Sequence, residues 1–112
     1  MSLTQKYRQT VALKRPLETG EGFDPEPQLV QAVVQPLAGA LAAQMYGPVL
    51  GETRLLLAPA GVELQVGMGV CLQAAPGDWP DYRVVYVAPW PRHTAAHIRF
   101  IPPWERVKRH ED

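Results

Sequence analysis

Apolar and polar residues alternate over much of this chain with a period of two. Residues 10–14 read Thr-Val-Ala-Leu-Lys, and the surrounding positions predict a first strand over residues 7–15 with Val11 and Leu13 turned inward. Residues 28–35, rich in β-branched side chains and stopped by Pro36, predict a second. A third follows at residues 52–58, closed by a tight turn at Pro59-Ala60-Gly61. Val62, Leu64 and Val66 then alternate with Glu63 and Gln65, Gly67-Met68-Gly69 marks a bend or bulge, and residues 70–74 continue as a strand. The strongest strand pattern is residues 82–88, Tyr-Arg-Val-Val-Tyr-Val-Ala. A last strand over residues 94–101 places Ala96, Ile98 and Phe100 on one face and His97 and Arg99 on the other, before Pro102-Pro103 ends it.

Only residues 37–46 suit a helix: Leu37, Leu41 and Met45 recur every four residues, with Pro36 at the start and Gly47 at the end. Between the first two strands, residues 16–27 hold Gly20, Gly22, Pro25 and the acids Glu18, Glu21, Asp24 and Glu26, the composition of a mobile loop. Five to seven short strands with frequent turn signals describe a mainly β fold, a small antiparallel barrel or sandwich with one short helix or crossover. Residues 1–103 form its single domain, and the charged residues 104–112 a tail.

Composition narrows the function. The 12 prolines, about twice the usual share, favour short strands and defined turns over long helices. Eleven basic residues balance eleven acidic ones, which speaks against a dedicated nucleic-acid binder and leaves little charge repulsion against self-association. The single cysteine, Cys71, excludes an internal disulfide. Residues 1–8 are polar, unlike a secretory leader, and no apolar run reaches the roughly 20 residues that cross a bilayer, so a cytoplasmic origin is expected and no membrane partner.

Candidate chemistry is sparse. His93 and His97 are four apart, but on a strand that spacing is about 13 Å, too far to share one ion, so no metal is expected. Cys71 lies among alternating apolar residues, where a thiol is a small core residue and not a nucleophile. Asp78 and Asp81 flank Trp79-Pro80 as turn formers, and no phosphate-binding glycine pattern occurs. The expectation is no catalytic residue, no cofactor and no enzyme. Trp79, Trp90 and Trp104 all stand beside prolines in strand-end loops, and basic residues gather near both ends of the chain. Tryptophan and arginine in such loops suit protein contacts. An oligonucleotide-binding barrel that stacks bases on the tryptophans, or a barrel binding a small ligand, is the alternative.

The second half runs Tyr46-Gly47, Arg54 to Leu57, Val66-Gly67-Met68-Gly69-Val70, Asp81 to Val87 and a closing strand with His97, preceded by a basic strand and the acidic loop. This order resembles the minor capsid, or head-closure, proteins of tailed bacteriophages and prophages. Gly67-Met68-Gly69 departs from the glycine–aspartate turn common in that family. The resemblance implies a structural, non-enzymatic virion protein: a partly open β-barrel that forms a ring in the neck, joins portal to tail and helps retain DNA. Partners would then be the portal, adaptor or tail proteins of the same phage and further copies of the chain, with non-specific DNA contact in the channel. Assembly would take place in the bacterial cytoplasm. The partner interface expected on these grounds comprises Glu18, Glu21, Phe23, Asp24, Trp90, Arg92, Trp104 and Arg106.

Overall fold

The computed structural model describes residues 8–19, 22–89 and 92–106. Six strands form it: β1 (Arg8–Lys14), β2 (Gln28–Pro36), β3 (Thr53–Pro59), β4 (Gly69–Cys71), β5 (Tyr82–Pro89) and β6 (His93–Phe100). All pair antiparallel, in the order β1-β2-β3-β6-β5-β4, and β4 returns to β1. The small antiparallel barrel expected from the alternation is present, and it is closed all the way round, where the resemblance implied a partly open one. Helix α1 (Ala40–Tyr46) and a 3-10 helix (Gly47–Glu52) link β2 to β3, and one helical turn, α2 (Pro103–Arg106), follows β6.

Inward residues fill the lumen. Leu56, Ile98, Val11, Val70 and Val84 are fully buried, and Ala32, Ala58 and Ala96 stand between them. Mixing small and large side chains lets a narrow barrel fill without voids. The connections β1–β2, β3–β4 and β5–β6 lie at one end of the barrel, and β2–β3, β4–β5 and the exit from β6 at the other.

The first end is plugged. Residues 62–66, expected to be a strand, are not one: Leu64 is buried, Val66 is 65% exposed, and the segment crosses the barrel end instead of joining its wall. Their alternation comes from that crossing, which needs one apolar residue down and its neighbours up. Gly67, at φ 99°, then turns the chain, and Met68 enters the core with its sulfur accepting the Gln65 N–H at 3.2 Å. Glu63, exposed on the same crossing, pairs with Arg15 at 2.8 Å.

Helix α1 starts three residues later than the spacing predicts, because Gly39 sits at φ 108° and breaks the turn. Leu41 and Met45 share a face as expected, but it points to solvent, 70% and 49% exposed, while Ala42 faces the barrel. Glu52, expected in β3, belongs to the 3-10 helix, and β4 ends at Cys71 although the pattern extended it to residue 74.

That three-residue β4 is the seam of the barrel, and two loops close over its outer side. Phe23 comes from the β1–β2 connection and Trp79-Pro80 from the β4–β5 connection. The two rings meet edge to face at 5.3 Å. Beneath them Gly69 has no side chain, and a Cβ there would overlap Pro80 and lie 3.0 Å from Phe23 Cδ1. Asp81, buried, accepts the N–H groups of Leu72 (2.8 Å), Gln73 (3.0 Å) and Ala74 (3.4 Å), and so takes over where the ladder stops. Lys14, 4% exposed, donates from Nζ to the Asp78 carbonyl at 2.7 Å. Cys71 is buried under the same loop, and burial pushes its thiol up from the ordinary range.

Candidate interaction face

The outer wall of β3, β6 and β5 carries an unusual set of side chains. Alternation on β6 turns His97 and Arg99 outward, because Ala96 and Ile98 fill the core. On β5, Val84 faces inward and is fully buried, so regular pleating would send Tyr86 inward too. A bulge between Val84 and Tyr86 shifts the register and puts Tyr86 outside, opposite His97 and 45% exposed. One step along the wall, Arg83 and Arg99 face each other across the same two strands.

Like charges directly opposed on a sheet are unfavourable. Here Arg99 reaches Glu52 at only 3.8 Å, and the Arg83 guanidinium lies 5.8 Å from the centre of the Phe23 ring. The two arginines border a groove of about 240 Å³ that continues over Val85, Phe100 and Pro102 to Glu105. Trp104, 78% exposed, is next to Glu105 on α2. On the other side of the wall, Tyr46 from the end of α1 places its hydroxyl 2.6 Å from His97 Nδ1, and the Tyr86 ring lies 4.9 Å from the His97 ring. Burial lowers the His97 pKa from its ordinary value, and burial followed by the nearby Tyr86 raises that of Tyr46. A neutral imidazole therefore meets a tyrosine hydroxyl, with Leu41 and Met45 exposed on the helix beside them.

Exposed arginine, tyrosine, tryptophan and methionine are the residue types enriched where proteins bury surface against one another. Nothing in the arrangement pairs a nucleophile with a base and an orienting acid. No group of three or more metal-binding side chains occurs among the described residues, and no helix there is long and apolar enough to cross a membrane.

The residues expected at the interface are dispersed. Trp104 is the neighbour of Glu105 at the end of the arginine groove and does not line it, and Phe23 touches Arg83 while committed to Trp79. Asp24 donates its N–H to the Arg15 carbonyl, and its carboxylate accepts that of Glu26, so it shapes its own loop. Glu18 and Arg92 are exposed in connections at the plugged end. Arg106 ends α2, its side chain outside the described residues, as are Glu21 and Trp90. The expected list omitted Tyr46, Arg83, Tyr86, His97 and Arg99. The outward parity of His97 and Arg99 was legible in β6, but the bulge that exposes Tyr86 has no signal in Val84-Val85-Tyr86.

Comparison of the chain with protein-family models, with curated proteins and with solved structures finds no match in any of the three.

Proposed function

We propose that this protein is a non-enzymatic assembly subunit, a filled β-barrel that works through its outer surfaces. The observation that carries the proposal is the wall that displays Arg83, Arg99 and Tyr86, with the exposed Trp104 on the helical turn that follows β6, over a lumen filled by its own side chains. A barrel filled in this way leaves little room for an organic ligand at its centre, so binding falls to its outer surfaces and its ends. The sequence resemblance gives the assembly a particular form: a head–tail connector ring of a tailed phage or prophage, between portal and tail. A ring joins one surface of each subunit to a different surface of the next. The wall and the loops at the plugged end, with Glu18 and Arg92, provide two unlike surfaces for that purpose.

The test is assembly. Mass photometry and negative-stain imaging across a concentration series, alone and with the portal protein of a tailed phage, should reveal closed rings. Trp104→Ala combined with Arg99→Glu should abolish them. A chain that stays monomeric under all these conditions, yet binds a single-stranded oligonucleotide with an affinity that falls steeply with salt, is a nucleic-acid binder and not a connector.

A further inference from the structure

The end of the barrel opposite the plug holds a half-buried cation that borders a half-open pocket. Arg54 occupies an inward position of β3, two residues before the fully buried Leu56 and opposite Ile98. Its guanidinium therefore projects into the lumen at the mouth. Nε donates to the Tyr82 hydroxyl at 2.9 Å, and Tyr82, 8% exposed, is fixed in turn by edge-to-face packing on Phe100 at 5.6 Å. A guanidinium has five N–H donors in a rigid fork. Among the described residues, Tyr82 is its hydrogen-bond partner and no carboxylate lies within ion-pair distance.

The remaining donors face a space of about 160 Å³ lined by Gln9, Val34, Arg54, Leu72, Gln73 and Tyr82. No acidic side chain lines it. The nearest acid in sequence, Asp81, has both carboxylate oxygens taken up by the N–H groups of Leu72, Gln73 and Ala74. At roughly 30 Å³ per water molecule the space holds about five waters, enough for one oxyanion group. Withdrawing a charge from bulk water is unfavourable unless it gains a partner, and a planar fork is matched in shape by a carboxylate or a phosphate.

We propose that the barrel mouth is a binding site for a single oxyanion, carboxylate or phosphate, held by Arg54 and framed by Tyr82 and the amides of Gln9 and Gln73. The proposal stands independently of ring assembly. The anion can arrive as a free ion or as the side chain of a docking protein, and the two sources are separable by experiment.

The test is an amide chemical-shift titration of the full chain at constant ionic strength. The probes are inorganic phosphate, acetate and a blocked tripeptide with one central glutamate, with chloride as the control. Saturating shifts at Gln9, Leu72, Gln73 and Tyr82 are expected with at least one probe and not with chloride. Saturation by phosphate or acetate identifies a free-ion site; saturation by the tripeptide alone identifies a docking site for an acidic side chain. Arg54→Gln should weaken the response at least tenfold, while Arg83→Gln with Arg99→Gln should leave it in place. The wild-type map decides alone if Arg54→Gln does not fold. Absence of saturating shifts at the mouth, or shifts that persist in a folded Arg54→Gln, would overturn the assignment.

Discussion

Tyr46 and His97, fifty-one positions apart in sequence, meet through a 2.6 Å hydrogen bond that ties the end of α1 to the outer wall of β6. A neutral phenol can donate or accept, so the tautomer of His97 sets the direction of this bond. Protonating His97 makes both ring nitrogens donors. Because burial depresses the folded-state pKa below the ordinary 6.5, the unfolded chain binds a proton at higher pH than the folded one. This contribution to stability is complete above pH 6.5 and is lost as pH falls through the folded-state pKa. Urea denaturation between pH 7.5 and 5 should show that loss, and His97→Phe should remove the part of the slope due to this residue. Tyr46→Phe keeps the ring over the imidazole, so the His97 pKa should stay below 6.5 in an NMR titration.

Asp81 holds three consecutive N–H groups where β4 gives out. Asp81→Ala removes the acceptor and leaves a hole in a buried site, so it should destabilise the protein by about 2–4 kcal/mol. Hydrogen exchange at Leu72, Gln73 and Ala74 should accelerate more than at Leu56 or Ile98, which reports a local effect at the seam.

Gly69→Ala should cost about 1–3 kcal/mol, since its methyl group runs into the rigid ring of Pro80 and the edge of Phe23. Gly51→Ala, where a Cβ meets nothing, is the control and should change the denaturation midpoint little. Equal effects from the two would contradict the clasp over β4.

Leu56 is fully buried at the centre of the lumen. Leu56→Ala should lower stability by about 3–4 kcal/mol through lost burial and the cavity left behind, measured by chemical denaturation.

Trp104 and Tyr86 separate assembly from stability. Trp104→Ala removes a ring that is 78% exposed, so the monomer should keep its stability within about 0.5 kcal/mol. If the wall is the docking surface, the same variant should weaken assembly at least tenfold, about 1.4 kcal/mol. Tyr86→Ala should behave alike, with a small added loss from its contact with His97. Sedimentation velocity and thermal melting on the same samples read the two effects apart.

The strands that line the core were legible because each keeps a clean period of two between residues that stop it: Val11 and Leu13 in β1, Ala96 and Ile98 in β6. Val62, Leu64 and Val66 misled for a physical reason, since a segment crossing a barrel end also turns alternate residues inward without joining a ladder. The short run Leu37, Leu41, Met45 showed helical spacing but could not say which face meets the barrel, and the small Ala42 does. Arg54 was hidden in Arg-Leu-Leu-Leu, where the three leucines suggest an apolar strand and parity alone sets the guanidinium inside. Pairing of Arg83 with Arg99, and the displacement of Tyr86, depend on register across strands, which no local pattern encodes.

The brevity of β4 gives the cylinder a built-in place to unzip. Backbone pairing there spans Ala12, Leu13 and Lys14 on one side and Tyr82 and Arg83 on the other, extended by the bonds of Gly67 and Met68 to Val84, and side chains add Asp81, Lys14 and the Phe23–Trp79 clasp. The edges of β1 and β5 are thus kept from other chains by a three-residue strand and the side chains packed over it, where every other neighbouring pair in the sheet shares a longer ladder.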